Sequence, residues 1–530
     1  MNVIYDGKEA GKKKQSPAGL IIAEEKFRLL ISSRTDELLS LSLYIKRNFQ
    51  NKNCFTRPLL GDILSEATKI EELLDAYGVR NNQRWYPFRE LVATIKLFAN
   101  VSYILLHLKH SVPTYNLLSI EDDFLKATDE EAFSSTCKIL VSVVERLLKE
   151  AEKLKIYLPE HIPGKKSFIE ELPPGHLPVD RKSRKVSSAE ETVVHLATAF
   201  LNLVEASSFL HIPHKERIEN YRDYIPDPIS EEKLRNLEYK FHNLQSLYDT
   251  HISDSNVESL DENLPVLRGH VSVIFHLLET ATALTHYCER HVLISESKKV
   301  QISSCLTDYT PLFKVLVNYS LCFSSLYIKK GRKLCQLMLK SYAKQGQIIV
   351  FVPRYRGFHV RPSTLIAKIV NHYGSEVWMK LGSETYNASF TLDLFRANET
   401  LNAKKKHKLA EEVARVIKNE SYGEAGDLVE SVRTVINILM ESDKVIVYEL
   451  KLPLEQIRPL EDETPYQSII RVFTQLFVMG KIDMEVDVQA SFSGDLRVLA
   501  DIKLLAEHGY GEDDAGNNLD LPKVLSYLRK

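Results

Sequence analysis

Gly357-Phe358-His359-Val360-Arg361-Pro362 sets the fold expected of the C-terminal third of this chain. It follows Gln347-Ile348-Ile349-Val350-Phe351-Val352, a run of strand formers, and precedes Leu365, Ile366, Ile369 and Val370 at helical spacing. The pattern predicts a strand-to-helix junction with His359 at the first turn. The first amides of a helix have no partner inside it and the dipole there favours an anion, so main chain alone offers a phosphoryl cradle. Pro362 suits that turn, because its missing N–H costs nothing there and its φ is already helical. Ser363 and Thr364 are expected to add hydroxyls to the cradle begun by Pro362, and Arg361 adds a planar permanent cation suited to phosphate. The chemistry expected of His359 is nucleophilic. Only an unprotonated imidazole nitrogen attacks phosphorus, and both the helix end and Arg361 disfavour imidazolium.

Downstream stand His372-Tyr373-Gly374-Ser375-Glu376-Val377-Trp378-Met379-Lys380 and Ser383-Glu384-Thr385-Tyr386-Asn387-Ala388-Ser389. Together with the Gly-x-His-x-Arg-Pro run they resemble the histidine-containing phosphocarrier protein (HPr) of the bacterial phosphoenolpyruvate phosphotransferase system, over roughly residues 346 to 396. The resemblance implies an α+β open-faced sandwich in which these stretches form the end of a first helix, a strand, a hairpin and the start of a second helix. It implies that His359 is the phosphorylated residue and Arg361 its catalytic partner, with no cofactor. Two departures stand out. Phe390 occupies the place of the family's regulatory serine, with Ser389 and Thr391 on either side, so Ser389 is a displaced candidate and serine-kinase control is not expected. Asp393-Leu394 replaces the family's Gly-Leu.

Beyond Phe395 a charged helical stretch, about 399–441, departs from the family pattern and carries Lys404-Lys405-Lys406-His407-Lys408, expected to be a solvated helix face. The last strand-helix pair has two candidates. Val445 to Leu450 followed by a helix capped at Thr464-Pro465 is preferred, which makes the insertion roughly 45 residues, a length that loop-closure entropy tolerates. Ile482 to Val488, leading to Leu496-Arg497-Val498-Leu499-Ala500, is the alternative. Leu521 to Lys530 reads as a terminal helical turn.

The remaining sequence reads as helical. Leu91, Ile95, Phe98, Ser102 and Leu105, then Ile274, Leu277, Leu278, Ala281 and Leu284, then Leu312, Val315, Leu316, Tyr319 and Phe323 mark amphipathic stripes. Ser187 with Glu190 predicts a capping box, and Thr310-Pro311 and Asn263 predict helix starts. The expected architecture is a multidomain chain with a mostly α-helical N-terminal region followed by the α+β domain. Its parts are a disordered or extended terminus at 1–15, one helical block at 16–158, a linker or crossover at 159–186, and a second block at 187–345. The α+β domain fills 346–530 with its insertion and a C-terminal extension. The Pro-rich 159–186 stretch holds the basic run Arg181-Lys182-Ser183-Arg184-Lys185, and Gly346 is expected to end the helix before the junction.

Composition narrows the function classes. A net charge of −2 over 530 residues argues against electrostatic attraction to nucleic acid or an anionic membrane. Cys54, Cys137, Cys288, Cys305, Cys322 and Cys335 lack metal or redox spacing and read as reduced thiols of a cytoplasmic protein. No signal-peptide layout and no transmembrane helix is expected. His211 with His214, and His286 with His291, read as surface histidines, so no metal is expected. No P-loop, nucleophile elbow or dinucleotide fingerprint is present, nor the Gly-rich, Ser-His segment of enzyme I. The expected function is a cytoplasmic regulatory phosphocarrier rather than an enzyme in the ordinary sense, charged by an enzyme I-like donor in trans and serving an unknown acceptor or target. The alternative is a non-phosphorylated HPr-like scaffold; a helical nucleic-acid binder is disfavoured by the balanced charge.

Overall fold

The computed structural model describes residues 21–51, 54–120, 123–164, 168–170, 175, 177–178, 185–186, 188–212, 221, 223–293, 306, 308–419, 428–448, 452, 463–484 and 486–529. The N-terminal 1–15 stretch, Arg181 to Arg184, Ser187, His214, Cys305 and Glu449-Leu450 lie outside them. The protein is mostly helical, 68%, with a small sheet of a few strands. It folds into two compact units, each assembled from separate segments: Met1–Arg181, Phe209–His242 and Gly269–Tyr327 in the first, and Lys182–Ser208, Asn243–Arg268 and Ile328–Lys530 in the second. Sequential blocks were expected instead. Hydrophobic periodicity finds helices but does not say which of them pack together.

In chain order the longer helices before the sheet are α1 (Glu24–Arg34), α2 (Asp36–Asn48), α3 (Arg57–Ala76), α4 (Tyr86–Ser111), α5 (Ser134–Lys153), α6 (Ala189–Ala206), α7 (Glu231–His251), α8 (Asn263–Tyr287) and α9 (Cys322–Ser341). Thr56 caps α3 by accepting from the Leu59 amide, and Pro58 sits in the first turn. The predicted stripes on α4 and α8 are buried throughout, as are Leu312, Val315, Leu316, Tyr319 and Phe323. The starts predicted at Asn263 and Thr310 fall where helices begin. Tyr86–Thr114 and Thr310–Ser341 are long and apolar enough to cross a membrane, contrary to the expectation that no stretch would be, but 67% and 72% of their most apolar windows are buried inside the fold. Such burial is what core helices of a folded domain show. Cys54, Cys137, Cys288, Cys322 and Cys335 are buried free thiols.

The second unit contains β1 (Gln345–Phe351), α10 (Val360–Tyr373), β2 (Val377–Leu381), β3 (Glu384–Asn387), α11 (Thr391–Asn419), α12 (Leu428–Glu441), β4 (Val445–Val447), α13 (Pro465–Val478), β5 (Ile482–Met484), β6 (Gln489–Asp495) and α14 (Leu496–Glu507). An antiparallel sheet runs in the order β1-β6-β2-β3. Val350, Val377, Met379, Leu381 and Phe492 are buried, while Ile349, Phe351 and Trp378 are exposed, the period-2 signature of a sheet covered on one face. Gly346 belongs to β1 rather than to a helix cap. It pairs with Gly494, and a Cβ there would lie 2.2 Å from the Leu496 side chain.

The preferred last strand-helix pair is corrected. Val445–Val447 pairs with Ile482–Met484 in a separate two-stranded sheet, and the strand completing the main sheet is β6, followed by α14. The insertion therefore extends well past 441. It has its own core, in which Leu409, Val413 and Ile417 of α11 meet Val432, Val435 and Leu439 of α12 and Ile469, Val472, Phe473 and Leu476 of α13. The helix cap predicted at Thr464 is present and takes the form of a capping box, with Gln467 as its partner. Leu521 to Lys530 holds a 3₁₀ turn, Lys523–Leu528.

Candidate functional site

The segment between β1 and α10 turns sharply. Arg356 and Gly357 are both left-handed, with φ of 52° and 63°, and a Cβ on Gly357 would meet Asn398 Oδ1 at 2.3 Å, so glycine is required there. Phe358 buries its ring edge-on to Tyr510, anchoring the turn. His359 follows with extended backbone at the N-cap of α10.

Its side chain is about three-quarters covered, and Nε2 lies 2.7 Å from Oε2 of the buried Glu512. An ionised carboxylate only accepts hydrogen bonds, so the proton of a neutral ring sits on Nε2 and the lone pair on Nδ1. Nδ1 has no hydrogen bond among the described residues. The Tyr355 ring packs edge-on against the imidazole at 5.4 Å and Tyr448 packs on Tyr355 at 4.8 Å. The Arg356 guanidinium lies over both tyrosines. Arg361 Nε is buried without a hydrogen-bond partner, 3.9 Å from Glu512 Oε1.

Glu512 is presented by a turn that follows α14. Asp513 accepts from the amides of Ala515 and Asn517, the Leu519 amide donates to the Gly511 carbonyl, and Glu512 bridges Asn518. The Asn517 side chain and neighbouring amides hold the Asp513 carboxyl below the usual range. Gly516, with φ of 84°, lies where a Cβ would strike the Tyr355 ring. The turn therefore locks onto the tyrosine that packs on His359.

The expected cradle is rearranged. Pro362 has no amide proton, and the buried Ser363 donates its hydroxyl to the Phe358 carbonyl and its amide to the His359 carbonyl. Thr364 is half-buried on the helix. The amides without a partner among the described residues are those of Val360 and Arg361, the first two of α10. Ser389 lies at the other end of the helix pair, its hydroxyl and amide both donating to Asn387 Oδ1 and its carbonyl accepting from Asn371. Beside it Phe390 and Leu392 are exposed.

The lysine run is not uniformly solvated. Lys404, Lys406 and Lys408 are exposed, but Lys405 falls on the stripe of Leu401 and Leu409 and is buried, its Nζ 2.9 and 2.8 Å from the Asp483 carboxylate oxygens. Tyr448 donates to the same carboxylate at 3.2 Å, and burial with that carboxylate pushes its phenol up. His286 and His291, read as surface histidines, pair with Glu231 and Glu90.

Glu512 was beyond the reach of sequence patterns, being 153 positions from its partner. Its only signal is the acidic run Glu512-Asp513-Asp514 between glycines. Compared with family models, curated proteins and solved structures, the chain matches none.

Proposed function

We propose that this chain is a regulatory phosphocarrier of HPr type that accepts a phosphoryl group on Nδ1 of His359. The observation that carries the reading is the Glu512 hydrogen bond to Nε2, which fixes the ring with its lone pair on the opposite nitrogen. Nδ1 attacks the phosphorus of a phosphorylated donor protein, the P–N bond forms, and the bond to the donor breaks with its electron pair leaving on the donor. The ring becomes cationic in that step while keeping its Nε2 proton, and the Glu512 carboxylate stabilises that charge. The unpartnered Arg361 Nε and the Val360 and Arg361 amides suit the incoming phosphoryl oxygens. Transfer to an acceptor reverses the same steps.

Element order supports the reading: strand, helix, strand, strand, helix, then after the insertion a strand and a helix, the order the resemblance implies. The donor is an enzyme I-like protein acting in trans, in the cytoplasm, and no cofactor takes part. A second reading, a scaffold that never carries phosphate, draws on the exposed Phe390 and Leu392. Incubation with enzyme I and labelled phosphoenolpyruvate separates the two. An acid-labile, base-stable label that disappears in His359→Ala is expected, with the fold retained because an N-cap change costs about 1 kcal/mol. Label that survives the substitution, or no label where an HPr control is charged, overturns the proposal.

A further inference from the structure

The first unit holds a cleft of about 1000 Å³, walled by α3 and α4 on one side and by α7, α8 and the π-helical turn Cys288–Leu293 on the other. That volume is at the upper end of ordinary small-molecule sites, and π-turns recur at functional positions. Its floor is a buried network in which Arg89 binds Glu71, Asp75 and Glu90 at 2.7 to 2.9 Å. The Arg89 hydrogen bond holds the Asp75 carboxyl down to about 2.

Three peripheral ion pairs share a polarity, while His276 with Glu279 has the reverse, 16% exposed against 32%. Lys96 on Glu71 is 38% exposed against 11%, Arg235 on Glu231 is 52% against 16%, and His291 on Glu90 is 24% against 7%. In each the carboxylate lies behind and the cation in front. Arg290, at the mouth, is exposed and makes no ion pair or hydrogen bond among the described residues. Two carboxylates also line the cleft. Glu279 is paired with His276, and Glu238 is pushed up by burial, against which its Thr282 hydrogen bond acts.

We propose that this cleft binds a small organic polyanion, a compound carrying phosphoryl groups or several carboxylates, with Arg290, Arg235 and Lys96 as its charge contacts. The paired carboxylates keep Arg235 and Lys96 oriented without ligand, so binding adds charge-assisted hydrogen bonds to side chains already placed. Arg290 is not engaged by any ion pair or hydrogen bond among the described residues, and its planar fork is the contact most specific for a phosphate or carboxylate group. This site is separate from the one around His359.

The test is calorimetric titration of the full chain with pyrophosphate, citrate and ATP, each against sodium chloride of equal ionic strength. Saturable one-to-one binding of at least one probe is expected, weakened at least tenfold in Arg290→Ala and in Arg235→Ala. Arg290→Ala removes no ion pair or hydrogen bond found among the described residues, so thermal melting of the free variant should match the parent. Arg361→Ala, altered at the other anion site, should bind as the parent does. Failure of all three probes to saturate above the salt control overturns the proposal. So does an Arg290→Ala variant of parental affinity, or loss of binding in Arg361→Ala.

Discussion

At the scale of single residues, the pair His359 and Glu512 does what neither side chain does alone. A histidine at a helix start is free to populate both tautomers and several rotamers. A buried carboxylate 2.7 Å from Nε2 removes that freedom. Glu512→Gln keeps a polar atom at that position but also presents an amide donor and removes the charge that steadies the phosphorylated ring. It should slow phosphoryl transfer roughly 10- to 100-fold, the loss typical when the group orienting a functional imidazole is changed. Nitrogen NMR of the His359 ring is the discriminating readout: the parent should show the Nε2-protonated tautomer and the variant a mixture, whereas a merely structural Glu512 would leave the tautomer unchanged. Local patterns made His359, Arg361 and Pro362 legible, because a strand, a turn and an amphipathic helix lie within about twenty residues of one another. Glu512 was not legible, since its role comes from a distant turn. The engagement of Ser363 was hidden for a different reason. Ser363 has the right chemistry, but its hydroxyl is spent on the Phe358 carbonyl, a choice set by rotamer and packing.

At the scale of elements, the insertion shows where periodicity stops being informative. Ile482 to Val488 alternates well and Val445 to Leu450 is rich in strand formers, so both outrank Gln489-Ala490-Ser491-Phe492-Ser493-Gly494-Asp495 on propensity. Yet this last run is the strand held between β1 and β2, with only Ala490 and Phe492 as its apolar contribution to the covered face. Its partners on both sides supply the ladder, so tertiary context overrides composition. The insertion is tied together by the Lys405–Asp483 pair, buried on both sides and shared with Tyr448. Removing one charge leaves the other buried and unpaired. Lys405→Met should therefore cost about 3–5 kcal/mol of stability, and Lys405→Met with Asp483→Asn should recover much of it. Denaturant melts of the two variants check this. Equal stability of the single variant and the parent would mean that water reaches the pair and screens it.

At the scale of the whole molecule, α10 joins the site to helices that sequence assigned to a different block. His359 is at its start. At its end the buried His372 stacks on Tyr527 at 4.1 Å and places Nδ1 3.9 Å from Glu205 of α6, while Gln336 of α9 donates to the Asn371 and His372 carbonyls. Asp501 accepts from Tyr373 and Tyr527 beside this contact. The second unit thus gathers segments far apart in sequence around one helix whose first turn is the proposed phosphorylation site. Phosphorylation adds up to about two negative charges at that turn, enough to bias packing along a short rigid element. Amides in α6 and in residues 328–341 of α9 should therefore exchange with solvent at altered rates once His359 is phosphorylated. Hydrogen exchange followed by mass spectrometry on the unmodified and fully phosphorylated full chain measures this directly. Changes confined to the turn around His359 would leave the helices passive and remove the regulatory half of the proposal, while the carrier chemistry would still stand on its own labelling test.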